Sequence, residues 1–380
     1  MPLDPARWKT LKGRYEEDRP HRMLAFDGGG IRGLLSLGIL QKIEAEIAAK
    51  TGQRLCDYFD YIAGTSTGAI IAVGLARGLN TAQLIDFYLA NGKQMFEHAS
   101  LINRLKFLYT ADPLKARLQE VFGPSTDLQP DNLRCLLLVV TKNVTTDSPW
   151  PLSSNPDAKY NDPTRPDCNL KMSLWQLVRA STAAPVYFPP ETLQWDAANA
   201  AKTFVFVDGG VTPYNNPAFL LYRMATEPAY RLNWPTGEKN LLLISVGTGA
   251  SEAKGATAAS PNKNLFSNVA DLPGELMYGS LVDQDINCRT VGRCTFGAHL
   301  DREILDLVQP IPLSTDLNRR FLYARYNADL SREGLNQLGF PEVDPASIQK
   351  LDAVENMDAL LKIGIEAGKS VDPLHFGPFL

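Results

Sequence analysis

Twice near its start the chain runs a short apolar segment straight into a glycine-rich turn and then into an apolar segment of helical length. In the first unit Met23-Leu24-Ala25-Phe26, within a strand expected over 21–27, leads into Asp27-Gly28-Gly29-Gly30-Ile31-Arg32-Gly33. A helix expected to reach about Lys50 follows, with Leu40, Ile43 and Ile47 on one face. In the second, a strand over 59–63 turns through Gly64-Thr65-Ser66-Thr67-Gly68 into a helix over 67–77, whose end is marked by Arg77 and Gly78. Strands that are apolar without alternation must be covered on both faces. The pattern therefore predicts an α/β protein with a parallel or mixed sheet between helices.

The alternation continues. Helices are expected over 81–97, 113–122 and 173–183, strands over 135–141, 203–207 and 241–246, and a helical stretch over 351–368. Two segments read as loops: 145–167, with five prolines, and 251–264, small and polar. With 380 residues, 44% hydrophobic and 21% charged, there is material for one large α/β domain or two ordinary ones. A net charge of −4 argues against a nucleic-acid partner. The longest uncharged stretch, 61–76, holds 16 residues, fewer than the ~20 a membrane-spanning helix needs. The charged N-terminus lacks the apolar segment of a secretory signal, and five dispersed cysteines read as reduced thiols. A cytoplasmic protein is the expectation.

The second turn carries the sharpest chemical signal. A GxSxG between strand and helix is the setting of a nucleophile elbow, where the serine sits on a strained turn. Gly64 and Gly68 let strand and helix approach without side-chain collision, and the helix N-terminus favours developing negative charge. The bland alternative is a helix cap with packing glycines. A nucleophilic serine needs a base. Four histidines exist, His21, His98, His299 and His375, and Ser66, Asp208 and His299 follow the chain order of an α/β-hydrolase triad. In that fold, however, the elbow follows several earlier strands, whereas here it follows the second. Asp208-Gly209-Gly210 closes the strand over 203–207 and offers a carboxylate at a strand end, where active sites of such sheets form. Burial beside a dry cleft would raise its pKa and make it a competent base.

The first turn has three readings. Gly28, Gly30 and Gly33 fit a dinucleotide fingerprint, but Gly64-Thr65-Ser66 stands where an acidic residue should hold the ribose. A phosphate-binding loop is not matched, since Gly364 to Gly368-Lys369-Ser370 is one residue short. The third reading is an oxyanion hole built from backbone N–H groups. Arg32 supports it, because a cation in a helix's first turn opposes the dipole and makes sense beside an anionic intermediate.

Together these residues resemble the patatin-like phospholipase family, whose pattern is a DGGGxRG turn, a GxSxG elbow and a DGG aspartate, in that order. Arg179-Ala180-Ser181-Thr182-Ala183-Ala184-Pro185-Val186-Tyr187-Phe188-Pro189, Asn215-Asn216-Pro217 and Ser245-Val246-Gly247-Thr248-Gly249 resemble further family stretches, so the likeness covers about residues 20–250. It implies a three-layer α/β/α patatin-like fold with a central mixed, mostly parallel sheet. A charged leader over 1–20 would precede a catalytic domain over 21–315, with a helical extension over 316–380 packed on the same domain. It also implies Ser66 as nucleophile and Asp208 as base without a histidine. The turn at Gly28, Gly29, Gly30, Ile31 and Arg32 would form the oxyanion hole, with no calcium, other metal or cofactor.

The substrate implied is a phospholipid or another acyl lipid, met at the membrane surface. Some bacterial members are switched on by cyclic dinucleotides in antiviral defence, though no motif here marks such a nucleotide site. A histidine-dependent esterase using His299 and a nucleotide-binding oxidoreductase are the rival readings. Finally, the proline-rich stretch over 145–167 has two readings: a lid bordering the cleft above Ser66, with Trp150 able to touch lipid, or a rigid surface loop far from the site.

Overall fold

The apolar runs are strands of one nine-stranded sheet in the computed structural model, which describes residues 5–16, 18–95, 109–196, 198–250, 265–300, 310, 312 and 318–380. In chain order the strands are β1 (His21–Phe26), β2 (Tyr61–Thr65), β3 (Leu136–Asn143), β4 (Ser148–Ser153), β5 (Glu191–Gln194), β6 (Thr203–Asp208), β7 (Leu241–Val246), β8 (Arg293–Phe296) and β9 (Leu322–Tyr326). The spatial order is β5-β6-β3-β2-β1-β7-β9-β8, with β4 paired to β3. From β3 across to β8 every pairing is parallel, while β4, β5 and β6 run antiparallel to their neighbours. The sheet is therefore mixed and mostly parallel, as read from the sequence.

Alternate residues of the central strands feed two separate cores, which is why these strands carry no polar face. Leu24, Phe26 and Ile62 pack with the helices Gly33–Thr51, Thr67–Ala76, Leu174–Ser181 and Met357–Gly368. Met23, Ala25, Tyr61 and Ala63 pack with the helix Ala218–Thr226 on the other face. Three layers result. Helix Thr67–Ala76 is buried at every position, since it lies between the sheet and further helices. All five cysteines are free and buried. Among the described residues no helix is long and apolar enough to cross a membrane.

Several expectations change. The leader is a helix, Pro5–Glu16, docked onto the sheet's far side. Its Arg14 bonds Asp60 at 2.8 Å and donates to the carbonyls of Cys56, Asp57, Phe59 and Arg134. Burial alone would raise the Asp60 pKa, but the nearby His21 ring, hydrogen bonds from Arg19 and the Arg14 charge hold it well below the usual carboxylate range. The C-terminal region is no simple helical extension, because β9 inserts between β7 and β8. The stretch over 145–167 contains β4, whose Pro149 and Pro151 are tolerated because its second edge pairs with no strand among the described residues. Helix 81–97 is seen as Thr81–Met95, and its last two positions lie outside the described residues, as do His98, the loop over 251–264 and the 315/316 boundary.

Candidate active site

The edge of β3 decides which side chains meet. β4 pairs along 138–143, so β2 at 136–140 and β6 at 141–143 must share the opposite edge. They approach it from opposite directions and stop on adjacent rungs, Thr65 opposite Val140 and Asp208 opposite Thr141. Close approach is enforced here: a Cβ on Gly209 would stand 2.3 Å from the Val140 carbonyl oxygen.

Ser66 follows β2 at φ 54° and ψ −122°, the only non-helical backbone between the strand and helix Thr67–Ala76. The flanking glycines are required. A Cβ on Gly64 would lie 2.0 Å from the Gly68 oxygen, and one on Gly68 would lie 2.4 Å from the Phe26 oxygen. From this elbow the Ser66 hydroxyl donates to Asp208 Oδ2 at 2.6 Å, while the Gly210 N–H donates to Oδ1 at 2.7 Å. Burial pushes the Asp208 pKa up to about 6, against the lowering effect of these two hydrogen bonds and of the Arg179 charge. The pair can therefore move a proton from hydroxyl to carboxylate near neutral pH.

Asp27 fixes the glycine turn from beneath. Arg325 on β9 grips it with both terminal nitrogens, Nη1 at 2.8 Å from Oδ1, and the same Nη1 donates to Ser245 Oγ at 2.7 Å. Within the turn the N–H groups divide. Those of Gly28 and Ile31 are engaged by the carbonyls of Asn215 (3.0 Å) and Leu351 (2.8 Å), so neither is a free oxyanion donor as the sequence suggested. Those of Gly29 and Gly30 have no backbone partner among the described residues, and Gly30 lines the cleft beside Ser66. Gly30 sits at φ +60°, and a Cβ there would meet the Leu351 oxygen at 2.1 Å.

Arg32 turns away. It donates to the carbonyls of Gly29 (3.3 Å) and Gly249 (3.2 Å) and lines an adjacent cavity with Asn215 and Gln349. Burial lowers its pKa to about 10, with Asp27 opposing. It positions the turn instead of reaching into the cleft.

The cleft above Ser66 and Asp208 is lined by Thr67, Ile70, Tyr88, Met95, Leu114, Pro185, Tyr187, Phe188, Val211, Met277 and Leu351. An apolar chain fits such walls. His299 lines a different cavity with Arg289 and Asp329, His21 is stacked on Trp234, and His375 bonds Tyr326, so the structure brings none of these three to Ser66. Trp150 is not in the cleft either. Held on β4, it packs against Trp195, Phe204 and Phe206 at 5.0–5.4 Å and faces another cavity with Tyr160 and Tyr230, so the expected lid is absent from this place. Among the described residues no three His, Cys, Asp or Glu side chains gather as a metal site would.

Sequence reasoning missed Arg325 and Leu351, which have no local signal, and gave no role to Ser181 and Asn215 inside stretches it had singled out.

A three-layer sheet bearing a serine elbow hydrogen-bonded to a strand-end aspartate defines a class of α/β/α proteins. Residues 24–222 match the model of the patatin-like phospholipase family, just over half of the 380-residue chain, and the chain belongs to that family. It is 30% identical over 243 residues to a cGAMP-activated phospholipase of Escherichia coli (strain TW11681), covering 61% of this chain and 63% of that protein. It is 29% identical over 245 residues to Patatin-T5 of Solanum tuberosum, covering 60% of each. The chain thus spans about three fifths of the length of these curated relatives. Human GIVD cytosolic phospholipase A2 overlaps at TM-score 0.47 and 13% identity, over 95% of this chain and 61% of that one, a likeness too loose to add to the assignment.

Proposed function

We propose that this protein is a serine lipid acyl hydrolase that cleaves fatty-acyl esters of glycerophospholipids at a membrane surface. The observation that carries the reading is the 2.6 Å hydrogen bond from Ser66 to a buried Asp208 at the floor of an apolar cleft. Ser66 Oγ attacks the ester carbonyl and its proton passes to Asp208 Oδ2. The carbonyl oxygen, now an anion, is met by the N–H groups of Gly29 and Gly30. Collapse expels the alcohol, which takes the proton from Asp208, and leaves an acyl-enzyme on Ser66. Water then attacks that ester, giving its proton to Asp208, and the fatty acid leaves as Ser66 regains its hydrogen. Membership of the patatin-like phospholipase family supports the substrate class.

The test is product analysis. Incubating the purified protein with a mixed membrane lipid extract should release free fatty acids and lysolipids detectable by mass spectrometry, and Ser66→Ala should release none. Unchanged lipid profiles under all conditions would overturn the reading. A second reading, activation by a cyclic dinucleotide, is favoured by the cGAMP-activated relative. Release that requires cGAMP in the same assay would establish it.

A further inference from the structure

One buried turn touches the backbones of both Ser66 and Asp208. Ser181, last residue of the helix Leu174–Ser181, accepts the Ser66 N–H on its Oγ at 2.9 Å. Its own hydroxyl hydrogen goes to the Val140 carbonyl at 2.7 Å, on the β3 rung opposite Thr65. Two residues further, the Ala183 carbonyl accepts the Asp208 N–H at 3.0 Å. We propose that Ser181 is a positioning residue for ester hydrolysis, one that sets the nucleophile's backbone relative to its base; the proposal rests on the Ser66–Asp208 reading above.

The physical need is specific to the elbow. Ser66 stands at the helix N-terminus with φ 54°, so its N–H has no carbonyl one turn earlier to bond, and it is buried away from water. Something must accept that hydrogen. A backbone carbonyl would need another chain segment to pass within 3 Å of a turn already filled by Gly64 and Gly68, and a single short hydroxyl does the same in less space. Because the Ser181 hydrogen is committed to Val140, its lone pairs are oriented toward Ser66. Nucleophile, base and β3 are then tied through Ser181, Thr182 and Ala183. Losing the tie lets the elbow rotate and lengthens the Ser66–Asp208 hydrogen bond. The bland alternative is a buried serine that merely satisfies its neighbours, with no effect on the chemical step.

The two differ in what they do to the base. The groups facing Asp208 are the Ser66 hydroxyl, the Gly210 N–H and the buried Arg179, which Glu191 approaches at 4.0 Å. If the Ser66 hydroxyl drifts, one of the three lowering influences weakens and the acid limb of kcat/KM moves to higher pH. The experiment uses a short soluble ester, with thermal unfolding measured alongside. Ser181→Ala should lower kcat about tenfold to a hundredfold with KM little changed, and shift the acid limb upward. Ser181→Thr, which keeps the hydroxyl, should restore most of the rate and the native limb. Ser181→Cys, a weak acceptor, should fall between and serves if the alanine variant does not fold. A normal kcat per folded molecule, or a loss with the acid limb unmoved in both the alanine and cysteine variants, would overturn the proposal. Ser66→Ala measured in parallel separates the two failures: if it stays active, the Ser66–Asp208 reading falls, whereas an inactive Ser66→Ala beside a fully active Ser181→Ala removes the positioning role alone.

Discussion

Thr65 and Asp208 occupy adjacent rungs on one edge of β3, although 143 positions separate them in the chain. Thr65 lies opposite Val140 and Asp208 opposite Thr141, so the residue after Thr65 arrives within hydrogen-bond reach of the aspartate. Two strands thus meet head to head against one edge of a third. Here it is made feasible by Gly209 after Asp208, where a Cβ would stand 2.3 Å from the Val140 carbonyl oxygen and 3.0 Å from the Thr65 methyl.

If this pair does the chemistry, Ser66→Ala and Asp208→Ala should each lower kcat by about a thousandfold or more, and the double variant should be no worse than either. His299→Ala should leave kcat close to the native value, because His299 lines another cavity. Steady-state kinetics on a soluble ester decides both. Retention of more than about a tenth of kcat by Asp208→Ala, a loss below roughly 1.4 kcal/mol, would remove the aspartate from the role.

The pH profile should carry the signature of a desolvated base. Asp208 accepts a proton only when ionised, and burial places its pKa near 6. Activity should therefore rise with pH through a midpoint near 6 and fall about tenfold per unit below it. A midpoint near 4, where an exposed aspartate titrates, would show that the carboxylate is not held as described.

The same desolvation weakens the fold at neutral pH. The native state binds the Asp208 proton more tightly than the unfolded chain does, so the stability tied to that proton is present below about pH 4 and lost as pH rises through 6. Asp208→Asn removes the charge, and should raise unfolding free energy at pH 8 by roughly 3 kcal/mol while leaving it nearly unchanged at pH 4. Urea titrations at the two pH values test this, and equal effects at both would contradict it.

Arg325→Ala should be among the most damaging single changes outside the cleft. It leaves the Asp27 carboxylate buried without its cation, at a cost of roughly 3–5 kcal/mol, and frees the glycine turn that Asp27 begins. Chemical denaturation should show the loss. A cost below about 1 kcal/mol would mean water or another group replaces the guanidinium.

Trp150→Ala should lower activity on lipid vesicles and on a short soluble ester by the same factor, since the ring packs on Trp195, Phe204 and Phe206 away from the cleft. A selective loss on vesicles would return it to the lipid-binding surface.

What the sequence determined by itself was local: two apolar strands, the glycines that let each turn enter a helix, the Ser66 elbow and the strand ending in Asp208. Each depends on near neighbours in the chain, on steric room at glycine and on periodic burial, and such rules are written in short stretches of residues. Tertiary structure decided the rest. Asp208 reaches Ser66, and His21, His299 and His375 do not, because β3 brings two strand tips together. Gly28 and Ile31 lose their N–H groups to Asn215 and to Leu351 near the C-terminus, and Arg32 folds back onto carbonyls. Trp150 leaves the site because a stretch with a loop's composition pairs as an edge strand. These outcomes turn on pairings between residues far apart in the chain, whose register is fixed only when the whole sheet and its two cores are packed at once.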